Sequence, residues 1–374
     1  MVGAIRESEI CSPGSTTEIG KIMTAPELSL IIPALNESGI IVQNIDELAA
    51  WMTDHDKNLS FEILVVDDGS TDGMGELLDT ACLQRDWLRV VHHPVNMGRG
   101  RGVRTGFASS TGNYIICLDA DLSYSPEHIP KLLEPLKAGT ADITLASVYH
   151  SEGKVINVPS QRVFLSRFGN KILSLGFGGK FSTVTCIVRG YTREVAENLE
   201  LVSDGKELHL EVIQKAQLLG YRIVEIPAIL NWRDRKRGQA KSRKLVPEIA
   251  IFKMRKTVIS HLVFNYITNP GILLLIPILF LLTVIIAGSS TLIYTLGQNI
   301  NQLDLTVMQT LRQTLLDGHL TLIVVSFAFI FLMIFIGFYF LSFQNKRYFD
   351  EVYTIVMRMN SRIKKIESQT TPED

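Results

Sequence analysis

The run Ile115-Ile116-Cys117-Leu118-Asp119-Ala120-Asp121 decides the fold. Its four apolar residues stop abruptly in two carboxylates one residue apart. Thr111-Gly112-Asn113 ahead of it and Ser125-Pro126 behind it are turn signals, so the apolar part reads as a short buried strand. Asp119 and Asp121 then stand where that strand leaves the sheet. Two hard oxygen donors at i and i+2 on the rim of a parallel sheet suit Mg2+ or Mn2+, which takes one or two protein carboxylates and fills its shell with phosphate and water. The same pair also suits an Asx-type turn capping the next helix, because carboxylates are favoured at helix starts.

On both sides of this run, short β-like segments alternate with helical ones, the pattern of an α/β sheet. Residues 28–32, 61–66, 88–91, 114–118 and 141–146 read as five strands. Residues 40–52, 71–85, 99–109 and 126–138 read as helices that cover both faces of the sheet, and Ile41, Ile45, Leu48 and Met52 share one helical face. Ligands of such sheets bind at the carboxyl ends of the strands. The loops found there are Pro33-Ala34-Leu35-Asn36-Glu37, then Asp67-Asp68-Gly69-Ser70-Thr71-Asp72, then Asn96-Met97-Gly98-Arg99-Gly100-Arg101-Gly102. Carboxylates at two strand ends can accept from a nucleobase and from ribose hydroxyls, while Ser70 or Asp72 serves equally well as a helix N-cap. The third loop fits neither Gly-x-Gly-x-x-Gly nor a P-loop. It either brings backbone N–H groups or Arg99 to a diphosphate or is a plain turn. Polar or acidic clusters at four of five strand ends, converging on one rim, say more than any single motif.

The bulk composition narrows the class. At 374 residues with a net charge of −1, the chain has room for one large or two ordinary domains and no global field that points to nucleic acid. Nearly all of its apolar surplus lies beyond residue 262. Cys11, Cys82, Cys117 and Cys186 are far apart, without Cys-x-x-Cys spacing, and read as reduced residues rather than as disulfides or a zinc site. Residues 1–26, rich in Ser, Thr and Gly, read as a disordered lead and not as a signal peptide.

Taken in order, Pro33 to Glu37, Val65-Val66-Asp67-Asp68-Gly69-Ser70-Thr71-Asp72, Asn96-x-Gly98-x-Gly100 and Asp119-Ala120-Asp121-Leu122 resemble the family 2 glycosyltransferases of GT-A fold, within them the polyprenyl-phosphate hexosyltransferases, the group that includes dolichol-phosphate mannosyltransferase. The likeness covers residues 27–245. It implies a Rossmann-like mixed α/β sheet with helices on both faces, followed here by a two-helix transmembrane domain. It implies that Pro33, Glu37 and Asp67 hold the base and ribose of a nucleotide sugar, with Asn36, Asp68 and Arg99 in the same donor-binding set. Asp119 and Asp121 would hold the divalent cation, Mg2+ or Mn2+, on its diphosphate.

Two later matches concern the acceptor. Arg162, Ser166 and Asn170 recur at i, i+4 and i+8 on one helical face, and in the family the matching Arg and Ser grip the phosphate of the lipid. Trp232-x-x-Arg235-x-x-Gly238-x-Ala240-Lys241 is similar to a family loop whose Arg contacts the donor diphosphate, which implies catalytic roles for Arg235 and Lys241 beside Asp121. Read without the resemblance, Arg162 is a solvated helix residue and the basic stretch a membrane-surface patch. The chain also departs from the family. Ser123 stands where a Gln is usual, Val148 where an acceptor-binding Arg is common, and Ala240 where a Ser is common. Phe181-Ser182-Thr183-Val184-Thr185-Cys186 replaces Asp-Pro-x-Ser-Gly-Phe.

Residues 272–296 and 320–343 are charge-free and long enough to cross about 30 Å of hydrocarbon. Lys253, Arg255 and Lys256 precede the first span, Lys346, Arg347, Arg358, Arg362, Lys364 and Lys365 follow the second, and the connection holds only Asp304, Arg312 and Asp317 as charges. The positive-inside rule then puts both termini and the catalytic domain, residues 27–242, in the cytoplasm. Residues 243–268 read as an amphipathic juxtamembrane segment, the transmembrane domain as 269–345, and residues 346–374 as a basic tail. In that tail, 348–366 form an amphipathic helix that packs on the membrane or pairs with a second copy in a homo-oligomer.

The expected function is inverting transfer of a hexose from a nucleotide diphosphate sugar to a polyprenyl phosphate, with the lipid bilayer as partner and no nucleic acid. Two alternatives remain. Transfer to a hydroxyl-bearing lipid needs a base, and the sequence shows no obvious extra carboxylate for it, Glu207 and Glu211 being the ones left open. A non-catalytic nucleotide-sugar-binding membrane subunit is the reading that the changes at Ser123 and Ser182 motivate. Absence of Gln-x-x-Arg-Trp argues against a processive polysaccharide synthase.

Overall fold

The structure is a computed structural model that describes residues 10–11, 25–232, 270–302 and 306–370. It divides into one unit of Met1–His261 with Met357–Asp374 and a second of Leu262–Val356. In the first unit an eight-stranded sheet has the order β1-β4-β3-β2-β5-β8-β6-β9. Its strands are β1 (Ile10–Cys11), β2 (Leu28–Ala34), β3 (Phe61–Asp67), β4 (Leu88–His92), β5 (Tyr114–Cys117), β6 (Ile143–Ser147), β8 (Arg189–Thr192) and β9 (Ile223–Pro227). A separate parallel pair joins β7 (Lys154–Ile156) to β10 (Ile229–Asn231).

The central strands are parallel and covered on both faces, which is why they read as continuous apolar runs and not as alternating ones. Leu28, Leu30, Ile31, Ile63, Leu64, Val65 and Val66 are fully buried. β2 is followed by α1 (Ile41–His55), β3 by α2 (Met74–Cys82), β4 by α3 (Arg99–Ser109) and β5 by α4 (His128–Lys137). The steps β2 to β3 and β3 to β4 run one way across the sheet, while β4 to β5 runs back past them. Right-handed crossovers therefore put α1 and α2 on one face and α3 on the other. Ile41, Ile45, Leu48 and Met52 are the buried face of α1, as their spacing predicts.

All five expected strands form, each within two residues of its expected ends. β8 was not foreseen. It enters antiparallel to both β5 and β6 and makes the sheet mixed. Its Arg189 is fully buried and donates to three carbonyl oxygens, those of Cys186 at 2.8 Å, His209 at 2.8 Å and Val184 at 2.6 Å. The expected N-terminal lead also contains structure, since Ile10 and Cys11 pair antiparallel with Val91 and Val90. Backbone groups left open at the edge of β4 account for that pairing.

The second unit contains α8 (Pro270–Gln302) and α10 (His319–Thr370) as far as Val356, and these helices contain stretches, Leu274–Ile300 and His319–Met357, long and apolar enough to cross a membrane. Their Phe and Ile side chains, among them Phe280, Ile286 and Phe331, face outward. The connection between them holds a further helix, α9 (Val307–Asp317), opened by a capping box between Thr306 and Gln309. Asn299 of α8 donates to Thr314 at 3.0 Å and to Asp317 at 3.2 Å, which ties α9 back onto α8. The expected tail helix is not separate, because α10 runs through residues 348–366 without a break.

Candidate active site

Strand order reverses between β2 and β5, and the crevice beyond their carboxyl ends is where a doubly wound sheet takes its ligand. A cavity of about 410 Å³ lies there, lined by Pro33, Glu37, Asp68, Arg99, Asp119 and Asp121 among others. The Asp119 turn is built locally. Asn44 of α1 donates to the Ala120 carbonyl at 2.8 Å, Leu122 N–H donates to the Asp119 carbonyl at 3.2 Å, and Leu122 sits at φ 46°. That left-handed conformation is strained for a leucine, at a cost of about 1–3 kcal/mol, and the burial of the Leu122 side chain holds it in place. Asp121 Oδ1 accepts from Ser123 N–H at 3.0 Å and from Ser123 Oγ at 2.6 Å. The two readings of the Asp-x-Asp pair are thus both present, an Asx turn and a pair of carboxylates on a cavity. Arg99 lies 3.6 Å from Asp119 Oδ1.

This donor set fits a divalent cation that arrives with a phosphate ligand. Asp119 and Asp121 are hard oxygen donors two residues apart, and among the described residues no cluster of three His, Cys, Asp or Glu side chains closes a full protein shell. Mg2+ and Mn2+ need no such cage, since phosphate oxygens and water complete their octahedron.

Asp67 and Asp68 do different work. Asp68 accepts from the N–H groups of Met97 and Gly98, both at 2.9 Å, and lies 2.8 Å from His93 Nδ1. It therefore fixes the third loop against the cavity. Asp67 accepts from Ser70 N–H at 3.0 Å and pairs at 3.0 Å with His92, and it does not line the cavity. His92 also reaches Asp79 at 3.1 Å. Burial alone would push the His92 pKa down, but hydrogen bonds with Asp67 and Asp79 outweigh it and the net shift is upward. Asn36 is likewise turned to the scaffold. Its side chain accepts from Thr71 N–H at 2.8 Å and its N–H donates to Ser70 Oγ at 2.9 Å, zipping the loop after β2 to the loop after β3.

The glycines of the third loop serve close packing. A side chain at Gly98, at φ 101°, would collide with the Asp204 carbonyl, and one at Gly100 would lie 2.6 Å from the Gly205 carbonyl and 2.7 Å from that of Ser203. Gly100 N–H already donates to Asp204 at 2.8 Å. This contact brings Gly205 and Lys206 to the rim of the cavity, and Lys206 is a cation the sequence reading missed. It precedes α7 (Leu208–Leu219) and carries no local signal. The loop ahead of it is clamped by Glu211, which accepts from Val202 N–H and Ser203 N–H at 2.9 Å each and pairs with Lys215 at 2.6 Å. Burial raises the Glu211 pKa, and these partners more than reverse it.

The expected acceptor residues lie on α5 (Ser160–Leu175), not on this cavity. Arg162 places its guanidinium 5.1 Å from the centre of the Trp232 ring, and Ser166 is exposed. Asn170, which shares their helical spacing, is buried and accepts from Val184 N–H at 2.8 Å and Thr185 N–H at 3.2 Å, so it holds a loop. The acid absent from residues 181–186 comes from β9, where Glu225 accepts from Ser182 N–H at 2.8 Å and Thr183 N–H at 2.9 Å. Arg235, Gly238, Ala240 and Lys241 lie outside the described residues, as does the juxtamembrane segment 243–268.

A sheet whose strand order reverses, with paired carboxylates on a cavity at the switch point, is an α/β domain built to take a ligand at the carboxyl ends of its strands. The model of glycosyl transferase family 2 matches residues 29–200. The chain is 31% identical over 232 residues to polyprenol monophosphomannose synthase of Mycolicibacterium smegmatis, across 60% of this chain and 84% of that one. It is 30% identical over 222 residues to dolichol-phosphate mannosyltransferase of Pyrococcus furiosus, across 59% of this chain, and it spans only 60% of the length of that relative. Among solved structures, glucosyl-3-phosphoglycerate synthase from Mycobacterium tuberculosis in complex with Mn2+, uridine diphosphate and phosphoglyceric acid is 20% identical. It covers 64% of this chain and 78% of its own, with a TM-score of 0.47. The chain belongs to glycosyltransferase family 2.

Proposed function

We propose that the protein transfers a hexose from a nucleoside diphosphate sugar to a polyprenyl phosphate, with inversion at the anomeric carbon, at the cytosolic face of a membrane. The observation that carries this reading is the cavity at the β2/β5 switch point, where Pro33, Glu37, Asp68, Arg99, Asp119 and Asp121 converge. Two relatives named for polyprenol or dolichol phosphate mannose transfer support the acceptor class. Two long apolar helices support a membrane site, and the cations flanking them in sequence support the cytosolic side.

In this reading Pro33 and Glu37 contact the base and ribose, while Asn36 and Asp67 shape the two loops that receive them. Asp119 and Asp121 hold Mg2+ or Mn2+, whose charge, when bound, neutralises the donor diphosphate. Arg99 and Lys206 add positive charge on the same rim. An oxygen of the lipid phosphate forms the new bond to the anomeric carbon as the bond from that carbon to the diphosphate oxygen breaks and the electron pair leaves with the nucleoside diphosphate. The attacking phosphate is already anionic at neutral pH and needs no strong base. Alignment and stabilisation of the leaving group are then the main tasks. Arg162 and Ser166 hold the acceptor phosphate, and Arg235 and Lys241 assist the departing diphosphate. A hydroxyl acceptor loses one of its two open bases, because Glu211 is committed to Val202, Ser203 and Lys215.

The test is incubation of proteoliposomes carrying the protein with a panel of labelled nucleotide sugars and polyprenyl phosphate. The expected product is a lipid-linked sugar released by mild acid, lost on chelation with EDTA and restored by Mg2+ or Mn2+. An acid-stable glycolipid would instead identify a hydroxyl acceptor, and nucleotide binding without turnover would identify a non-catalytic subunit.

A further inference from the structure

Strand β10 is held in part by a side chain. It pairs with β7 over three residues, Ile229 with Lys154, Leu230 with Val155 and Asn231 with Ile156, and a lone two-stranded pair is marginally stable at best. The other edge of β10 closes on the segment that follows the Asp119 turn. Tyr124 and Leu230 form an antiparallel bridge, and Asn231 N–H donates to the Ser123 carbonyl at 2.9 Å. The remaining donor on that edge, Ile229 N–H, is taken by an imidazole, His128 Nε2, at 2.9 Å.

His128 is 4% exposed, in the first turn of α4, and both of its ring nitrogens are in use. Nδ1 lies 2.8 Å from the Ser125 carbonyl, which can only accept, so Nδ1 carries the proton. Nε2 then has the lone pair that receives the Ile229 N–H. Two backbone groups thereby select one neutral tautomer, and burial pushes the pKa of the ring down in agreement.

The weight of this clamp comes from what β10 joins. Ser123 holds Asp121 Oδ1 through its N–H and its hydroxyl, and holds Asn231 through its carbonyl. Asn231 Oδ1 accepts from Asn157 Nδ2 at 2.9 Å, and Trp232 N–H donates to the Ile156 carbonyl at 3.2 Å. Trp232 in turn lies under the Arg162 guanidinium. A short run of contacts thus leads from Asp121 through β10 to Arg162, and Ile229 is its root.

We propose that His128 is a positioning residue for the transfer reaction. By clamping Ile229 it fixes β10, and β10 sets Asp121 and Arg162, the proposed metal and acceptor-phosphate groups, in register with each other. The inference rests on the proposed function for the roles of those two residues.

The experiment compares the full chain in proteoliposomes with three variants. His128→Gln puts an amide oxygen near the place of Nε2 and keeps the clamp, whereas the shorter amide of His128→Asn reaches only the place of Nδ1 and loses it. Both remove the ring, so any loss of packing is shared. Ile229→Pro deletes the donor and leaves the ring intact. Proline is tolerated at the first residue of an outer strand, and the Ile229 side chain is 41% exposed, so this variant decides the matter if removal of the ring unfolds the protein. Hydrogen exchange over residues 230–232, read by mass spectrometry, is expected to be about 5- to 10-fold faster in His128→Asn and Ile229→Pro and near the parent's rate in His128→Gln, the factor that one lost hydrogen bond implies. The apparent KM for polyprenyl phosphate is expected to rise in the same two variants by a similar factor and to be restored in His128→Gln, while the KM for the nucleotide sugar stays level. An unchanged lipid KM in Ile229→Pro would overturn the proposal. So would equal losses in His128→Gln and His128→Asn, which mark a role in packing alone. A parent that transfers sugar while its variants behave as it does would defeat this inference alone. A parent that transfers nothing would defeat the proposed function, and hydrogen exchange would still read the clamp.

Discussion

Asp121 meets two demands at once, since one of its oxygens is held by Ser123 while the residue faces the cavity. Asp121→Asn is expected to lower transfer at least about 100-fold, as loss of several kcal/mol of charge stabilisation implies. Its thermal unfolding should match the parent, checked by circular dichroism. Ser123→Ala removes only the orienting hydroxyl and should raise the concentration of Mn2+ needed for half-maximal rate about 10-fold, within the range for such supporting partners. Arg162→Ala should raise the apparent KM for the lipid and leave that for the nucleotide sugar nearly unchanged, measured by varying each substrate in turn. Asp119 and Asp121 were legible because an abrupt change of polarity marks the end of a buried strand. Lys206 was not, because it reaches the cavity through a loop whose position depends on contacts with Gly98, Gly100 and Glu211. Such long-range packing leaves no mark beside the residue itself.

At the scale of elements, Glu62 is the knot of the sheet's far end. Its carboxylate accepts from Ser29 of β2 at 2.6 Å, from Thr111 N–H at 2.7 Å and from Arg89 of β4 at 2.9 Å. Burial would raise its pKa above the ordinary 4.5, and these three partners together bring it below. A depressed carboxylate contributes stability that is complete above the unfolded value and lost as pH falls through the folded one. Denaturant unfolding followed downward from about pH 6 should therefore show a loss beginning below about 4.5 that Glu62→Gln abolishes. At neutral pH the same substitution should cost about 2–3 kcal/mol, as for a buried, hydrogen-bonded ion pair that loses one member. Strands β2 to β6 were readable as apolar runs, whereas β9, parallel to β6, and the pair β7 and β10 were not foreseen. Nor was β8, because Arg189-Gly190-Tyr191-Thr192 has neither a run nor an alternation, and only the three carbonyls around Arg189 make that cation tolerable inside.

For the molecule as a whole, the apolar surplus lies in α8 and α10, whose outward faces are Phe, Ile, Leu and Val. The protein is expected to stay with the membrane pellet through an alkaline carbonate wash and to leave it only in detergent, read by immunoblot of both fractions. The presence of two apolar stretches was plain from composition, because about 20 uncharged residues in succession have few other uses, although the second runs on to Met357, past the expected 343. Helix α9 was hidden, since its signal is a single capping box between Thr306 and Gln309. The sheet has one more consequence, concerning how the chain is made. β5 pairs with β2 on one side, but its other neighbour is β8, which emerges from the ribosome only after β6, β7 and α5 have been synthesised. During that interval the nascent domain carries an open strand edge ending in Cys117, ready to recruit the wrong chain. Slow translation or chaperone shortage should therefore harm the yield of this protein more than the stability of its finished fold would suggest.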